Sequence, residues 1–181
     1  MLTFTTLNAV GFCSIENLHL QLNTNCTVLI KATNGKGKSS ILSSLVWALY
    51  GKNLKGVSNV STWESVRPKD YLGTMVGLYF QKDSHLFKII RCQKYKGILE
   101  DGAKGNDRLI FLKDNELVSV KGKNQIQDEI CKEVGLSYTL FMNSIMFGQG
   151  IKRLIQESNS DKKKIFEEVF DLEFLNLAKG I

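Results

Sequence analysis

Proline, cysteine and histidine are all scarce in this 181-residue sequence, which has one proline, four cysteines and two histidines. No two cysteines form a C-x-x-C pair, and the histidines are equally isolated. These spacings argue against a metal site and against a disulfide framework. Reduced thiols in a cytosolic protein are the simpler interpretation.

Long apolar runs are also missing. No stretch approaches the ~20 apolar residues that cross a bilayer, so we expect no membrane partner. The N-terminus lacks a basic segment followed by an apolar one, the pattern typical of a secretory signal. We therefore expect the protein to stay in the compartment where it is made.

What the sequence does contain is an ordinary apolar content with a basic surplus. Hydrophobic residues make up 43% and charged residues 23%, as in soluble globular proteins, and the net charge is +6. The surplus lies in the first two thirds of the chain and favours acidic partners such as nucleotides and nucleic acid. Four cations of the central region are either a solvated face or contacts to nucleic acid: Lys88, Arg91, Lys94 and Lys96.

One stretch carries the clearest chemical signal. Residues 27–31 are apolar and β-branched and predict a strand, and a helical pattern runs from Lys38 to Leu49. Between them lies a glycine-rich turn, the setting of a phosphate-binding loop. The loop pattern G-x-x-x-x-G-K-[ST] has Ala32 in place of its first glycine, which is tolerable if φ stays negative there. The alternative is an ordinary turn rich in Gly, Asn and Lys.

Each residue type in this loop has a chemical reason. Gly35 and Gly37 let the backbone wrap closely and turn its N–H groups inward. Lys38 can reach the terminal phosphates, and the Ser39 hydroxyl is placed to ligate Mg²⁺. The predicted cofactor-binding set comprises Thr33, Asn34, Gly35, Lys36, Gly37, Lys38, Ser39 and Ser40.

The rest of the chain divides into three segments: strands, phosphate loop and first helix (1–51), a loop plus an antiparallel β insert (52–123), and a helical arm (124–181). Period-2 patterns predict strands at 2–8, 18–22, 72–80, 85–94, 108–113 and 116–120, with a mobile loop at 94–106. Tight turns are predicted at 81–84 and 113–116. Apolar spacing then changes to the helical period, with helices ending at Gly135, starting at Ser137, and starting at Ser158 or Ser160.

A nucleotide hydrolase of this class also needs an acidic residue after a second apolar strand. Asp114 is the one candidate, and the predicted hairpin turn explains it better. No Ser-Gly-Gly sequence is present. The sequence thus predicts phosphate binding without all the parts for hydrolysis.

Together these features resemble a family, the SMC-like ATPases of DNA double-strand-break repair, which include SbcC-type exonuclease subunits and the large subunits of phage recombination endonucleases. The resemblance spans the whole chain. It rests on these segments: the Gly11-Phe12-Cys13-Ser14 turn, the loop from Asn34 to Leu42, Ala48-Leu49-Tyr50-Gly51, Phe141-Met142-Asn143-Ser144-Ile145, Gln149-Gly150, and the charged helix at 161–172.

The resemblance implies an α/β P-loop NTPase fold, the N-terminal lobe of an ABC-type ATPase head whose last helices lead toward a coiled coil. Gln149 would be the Q-loop glutamine that contacts Mg²⁺ or the attacking water, and Lys38, Ser39 and Ser40 would hold phosphate and metal. Lys38 and Gln149 are thus the predicted catalytic residues, with ATP and Mg²⁺ as cofactors. The chain departs from the family at Ala32, Cys13 and Gly148.

The implied partners are a C-terminal lobe of the same protein, a second head in a homodimer, a nuclease subunit and double-stranded DNA ends. The implied location is the cytoplasm of a bacterium or a phage-infected bacterium. Two other functions stay open: a fragment of a transporter-type ABC ATPase, and a non-catalytic module whose interactions are gated by nucleotide.

Overall fold

The computed structural model describes residues 1–23, 27–120, 122–146, 156 and 158–170. Its elements, in chain order, are β1 (Leu2–Phe12), β2 (Ile15–Gln21), α1 (Lys38–Tyr50), a short 3₁₀ helix (Glu64–Val66), β3 (Thr74–Lys82), β4 (His85–Gln93), β5 (Tyr95–Ile98), β6 (Lys104–Asn106), β7 (Leu109–Lys113), β8 (Glu116–Leu117), α2 (Lys123–Val134), α3 (Tyr138–Ser144) and α4 (Asn159–Val169). The chain divides into two compact units, Met1–Val134 and Gly135–Ile181. The fold is α/β, as the sequence predicts.

The first unit is built on an antiparallel sheet. Within the described residues the strand order is β2-β1-β3-β4-β7-β8, and every neighbouring pair is antiparallel. Two tight turns fix its register. Asp83 and Ser84 join β3 to β4, and Asp114 and Asn115 join β7 to β8, all four with positive φ. Both hairpin turns predicted from the sequence are confirmed.

Helix α1 packs on one face of this sheet, against β1, β3 and β4, and α2 packs against α1 and β7. The alternation of strand residues explains the core beneath them. The largest fully buried side chains of this unit are apolar residues of the strands and of α1, among them Phe12, Phe80, Phe111, Leu7, Leu49 and Leu78. Helix α1 ends at Gly51, whose φ is 69° and whose N–H donates to the Trp47 carbonyl, as predicted for a glycine cap.

The opposite face of the sheet is covered by a hairpin that sequence reasoning missed. Residues 94–106 are predicted to be a mobile loop, but the structure has β5 and β6 there, paired antiparallel. Tyr95 and Leu99 of this hairpin pack with Ile90, Cys92 and Ile110 in one buried cluster. The prediction of a loop is wrong because two of its glycines are required for packing against Tyr95 and do not indicate a flexible segment. A Cβ on Gly97 or Gly105 would come within 2.5 Å of the Tyr95 ring.

The strand predicted at 27–31 is also not observed. Residues 27–33 have no regular secondary structure and no ladder pairing to any described strand. Val28, Leu29 and Ile30 are exposed, with 49%, 74% and 36% of their surface accessible. The apolar pattern is genuine, but a strand needs a neighbouring strand to pair with, and the described part of the chain supplies none beside this segment.

The second unit contains α3 and α4, which pack on each other. Ser137 caps α3 as predicted, because its hydroxyl accepts a hydrogen bond from the Leu140 N–H at 3.2 Å. Ser158 precedes α4, and its hydroxyl accepts from the Asp161 N–H at 3.2 Å. Phe141 and Ile165 are buried. None of the helices in the described ranges is long and apolar enough to cross a membrane.

Candidate phosphate-binding site

The candidate site is the loop that leads into α1. Gly35 and Gly37 have φ values of 82° and 83°, the left-handed region that glycine enters without steric cost. Ala32 is not among the residues with positive φ, so the condition for its replacing a glycine is met. The Lys36 N–H donates to the Thr33 carbonyl at 3.3 Å and closes the turn. The loop from residue 32 to residue 36 is exposed.

The start of α1 is open to an anion. Gly37 occupies the N-cap position and provides no side chain, and no acidic residue lies in the first turn. The Ser40 and Ile41 N–H groups bond the Gly37 carbonyl at 2.9 and 3.2 Å. The earlier N–H groups of the turn are not satisfied by a side-chain cap, so the partial positive charge of the helix faces the loop.

The Lys38 side chain also lies against this loop. Its ammonium donates to the carbonyls of Ala32 at 2.6 Å and Thr33 at 3.0 Å, within its own loop. These exposed bonds hold the cation inside the curve of the loop, where a phosphate group would be bound. Because carbonyls compete weakly with a phosphate for an ammonium, the lysine is free to exchange partners.

The β1–β2 turn forms one side of the site. The Ser14 hydroxyl lies 3.2 Å from the Ser40 hydroxyl. A Cβ on Gly37 would come within 2.8 Å of the same Ser14 oxygen. The neighbouring Cys13 has a φ of 50°, its N–H donates to the Val60 carbonyl at 3.0 Å, and burial raises the pKa of its thiol. Sequence reasoning noted this turn but did not place Ser14 against the loop.

The structure thus brings together Lys38, Ser40 and both glycines of the loop, while Thr33, Asn34, Lys36 and Ser39 are exposed around them. Gln149 lies outside the described residues. The donor set fits a Mg²⁺–nucleotide only in part, because Ser39 would offer a single hydroxyl ligand. Among the residues that the structure describes, no group of three or more His, Cys, Asp or Glu side chains could hold a metal.

Asp114 has a structural role. Its carboxylate accepts from the Leu86 N–H at 2.9 Å and lies 2.6 Å from the His85 ring nitrogen, at the β7–β8 turn. The Leu86 N–H first, and His85 second, hold the pKa of this carboxyl below its usual range. The preference for a turn residue over a catalytic acid is therefore supported by its contacts.

Two of the four central cations are also used internally. Arg91 donates to the Ala48 and Leu49 carbonyls at 3.1 and 3.4 Å, at the end of α1. Lys88 pairs with Glu100 and lies 5.0 Å from the centre of the Tyr79 ring. Lys94 and Lys96 are exposed. Neither interpretation of this group, solvated face or nucleic-acid contact, describes Arg91 or Lys88.

Comparison with known proteins places these features in a family. A family profile described as an AAA domain, AAA_23, matches residues 7–178. Exonuclease subunit 2 of Enterobacteria phage T4 is 28% identical over 172 residues, covering 92% of this chain and 28% of that protein. A DNA double-strand break repair Rad50 ATPase of Thermoplasma volcanium is 24% identical over 169 residues, covering 91% of this chain and 17% of the relative.

A solved structure from work on the "Structural biochemistry of ATP-driven dimerization and DNA stimulated activation of SMC ATPases" has the same fold. It aligns with a TM-score of 0.55 and 16% identity over 92% of this chain and 99% of that one. The chain spans between about a sixth and somewhat over a quarter of the length of the curated relatives. The family predicted from the sequence is confirmed, and this chain belongs to the AAA_23 family of AAA domains, with SbcC-like phage exonuclease subunits and Rad50 ATPases among its relatives.

Proposed function

We propose that this chain is the ATP-binding N-terminal half of an SMC-like DNA-repair ATPase head. The observation that carries the proposal is the uncapped start of α1 beneath a loop with two left-handed glycines and a lysine folded into it. Backbone N–H groups, a helix N-terminus and an ammonium converge on one point, which is the chemistry of a triphosphate site. The relatives named as ATPase and exonuclease subunit support the same class.

Within this site Lys38 neutralises the terminal phosphates and Ser39 supplies a hydroxyl to Mg²⁺. Thr33, Asn34, Lys36 and Ser40 line the loop around the phosphates. Gln149, outside the described residues, is proposed to sense the γ-phosphate and position water. Bound Mg²⁺ would polarise the transferred phosphoryl group.

The proposed full reaction needs more than this chain. Asp114, the candidate that the sequence offers for the acidic residue after a second apolar strand, holds a turn instead. A C-terminal lobe and a second head are therefore proposed to provide the remaining groups, and a nuclease subunit to act on the DNA. We expect hydrolysis by these 181 residues alone to be close to background.

A titration of the chain with ATP and Mg²⁺ tests the site. Lys38→Ala should weaken ATP binding by roughly tenfold or more, because a charge-assisted contact to phosphate contributes about 1.5–3 kcal/mol. Lys55→Ala, an exposed lysine of the loop after α1, is the matched control and should bind ATP like the parent. Equal affinities for the parent and Lys38→Ala would refute the proposed phosphate site, and with it both ATPase interpretations.

Double-stranded DNA ends are the proposed macromolecular partner. The outward face of the β5–β6 hairpin carries Lys96 and Lys104, and Lys94 is exposed just before it. No described acidic residue forms an ion pair with any of the three, so their charges are available to phosphates.

The salt dependence of binding tests this surface. Changing Lys94, Lys96 and Lys104 together to Gln should reduce the slope of log K against log salt by about 3 for a duplex, since each phosphate contact contributes about 0.9. Changing the exposed lysines Lys52, Lys55 and Lys69 instead should leave the slope unchanged. An unchanged slope in the hairpin variant would remove the hairpin from the DNA surface.

A further inference from the structure

A cation-lined cavity lies far from the phosphate loop. It has a volume of about 180 Å³ and is formed where α1 ends, with Gly51, Ser58, Arg91, Asp107, Arg108 and Lys123 on its walls. Helix α1 is 13 residues long, so its two ends are about 20 Å apart. The cavity is therefore separate from the site at the start of α1.

Arg91 is the innermost cation. Its guanidinium donates to the carbonyls of Ala48 and Leu49 and, at 2.6 Å, to the Gln127 side-chain oxygen. All three partners are neutral, and among the described residues no carboxylate lies within ion-pair distance. Burial lowers the pKa of Arg91 to about 10, so the group stays charged at neutral pH. The two carbonyls belong to the last turn of α1, whose partial negative charge offsets part of the guanidinium charge, and the Trp47 ring centre lies 5.8 Å away. These dipoles provide no formal counter-charge for a cation that is largely removed from water, and a bound anion would supply one.

The rim carries two more cations. The charge of Arg108 is neutralised by Asp101, because the guanidinium donates two hydrogen bonds to that carboxylate at 2.6 and 3.2 Å. Lys123 forms no ion pair with any described residue, and it is the first residue of α2, where the helix N-terminus adds partial positive charge. Asp107 is the one carboxylate on the wall, and it accepts from the Lys94 N–H at 2.9 Å. Arg91 and Lys123 together outweigh it.

We propose that this cavity binds a phosphate group, either a free phosphate or a phosphodiester of duplex DNA. Arg91 presents a guanidinium edge toward Gly51, where a Cβ would meet its terminal nitrogen at 3.0 Å. Lys123 closes the rim with a second charge. Planar guanidinium and point-charge ammonium groups are the pair that proteins use for phosphate.

The test uses inorganic phosphate and the Lys38→Ala chain, whose phosphate loop has lost its lysine, at constant ionic strength set with chloride. Calorimetry should detect one phosphate-binding event in this background. Adding Lys123→Ala should weaken it by roughly tenfold, the loss of one charged contact. The matched control adds Lys132→Ala, an exposed lysine on the same helix, and should leave phosphate affinity unchanged. Lys123 is exposed, so its variant should unfold in urea like the parent.

Two results would overturn the proposal: phosphate affinity unaffected by Lys123→Ala, or an equal loss with Lys132→Ala, which would indicate only net charge. A fluorescence-anisotropy arm with a blunt duplex identifies the source. Duplex affinity that falls with Lys123→Ala but not with Lys132→Ala supports a phosphodiester ligand. Duplex affinity that does not change, while phosphate affinity falls, supports a free anion. Because the Lys123 and Lys132 variants are compared in the same Lys38→Ala background, the difference between them does not depend on the proposed ATP site.

Discussion

At the scale of single residues, the phosphate loop depends on two glycines that differ in one respect. Gly35 and Gly37 have nearly the same φ, 82° and 83°. A Cβ on Gly35 would meet no atom within 4 Å, whereas one on Gly37 would lie 2.8 Å from the Ser14 hydroxyl oxygen. The pair therefore separates backbone strain from side-chain collision.

Alanine at each position should reveal this difference. Gly35→Ala should lower the free energy of unfolding by about 1–2 kcal/mol, the cost of a left-handed alanine. Gly37→Ala should lower it further and also weaken ATP binding, because the Ser14 hydroxyl must move away from the loop and from Ser40. Urea unfolding and ATP titration measure the two effects. The double variant Gly37→Ala with Ser14→Gly should recover the excess loss, and equal stabilities for the two single variants would contradict the assigned contact.

Arg91 shows what a residue-level pattern can and cannot reveal. Along β4 it shares the face of Phe87 and Ile89, so strict alternation alone places it toward the core. Its charge alone indicates a side chain that faces solvent or contacts nucleic acid. Its actual partners, the last carbonyls of α1, lie more than 40 positions earlier in the sequence. Local pattern gives the face of a strand, but it does not identify a partner that only the fold brings near.

At the scale of elements, the β7–β8 turn is tied to β4 through Asp114. The Leu86 N–H and the His85 ring both favour its ionised form, so its pKa is depressed in the folded state. A depressed carboxyl pKa contributes stability above the unfolded value of about 3.9 and loses it as pH falls through the folded value.

Asp114→Asn should therefore be less stable than the parent near neutral pH, and the difference should shrink as pH falls below about 4. Asparagine also tolerates the positive φ of this position, so the backbone is preserved. Urea midpoints at a series of pH values measure the difference. The control is Asp128→Asn, an exposed aspartate of α2, which should show no such convergence. A difference independent of pH would mean that the carboxylate charge is not what stabilises the turn.

Elements were predictable where local chemistry determines them. Gly51 after α1, Ser137 before α3 and both hairpin turns are local signals, and each is observed. The β5–β6 hairpin was not predictable from the sequence. Gly97 and Gly105 lie against the Tyr95 ring, where a larger side chain would collide with it. In sequence such glycines are indistinguishable from those of a loop, since the reason for them is a tertiary contact.

At the scale of the whole molecule, the family and the α/β fold could be predicted from the order of the motifs. The strand predicted before the phosphate loop was not observed, because the described residues provide no neighbouring strand for it to pair with. Residues 27–31 have the composition of a buried strand, yet Leu29 is 74% exposed. The missing information is the identity of the neighbouring strands. The curated relatives are several times longer than this chain, so room for those strands exists elsewhere in such proteins.

We therefore expect the segment 27–31 to pair only when the proposed C-terminal lobe is present. In hydrogen exchange, amides 28–31 should exchange fast in this chain alone and slow by at least roughly tenfold once the proposed C-terminal lobe is added, because ladder hydrogen bonds protect them. The β2 amides, already paired with β1, should change little.

The variant Leu29→Asp tests the same pairing of segment 27–31 in a second way. In the isolated chain it should leave the urea midpoint unchanged, since Leu29 contributes little burial, but it should prevent association with the proposed C-terminal lobe, because a charge would enter a buried strand. Leu117→Asp is the matched control, as Leu117 of β8 is 61% exposed and should tolerate the charge in both tests. Leu29→Asp could instead lower the free energy of unfolding of the isolated chain by about 2 kcal/mol or more, the loss typical of a core position. In that case the segment already packs within this chain, and the need for a second lobe at this strand would be disproved.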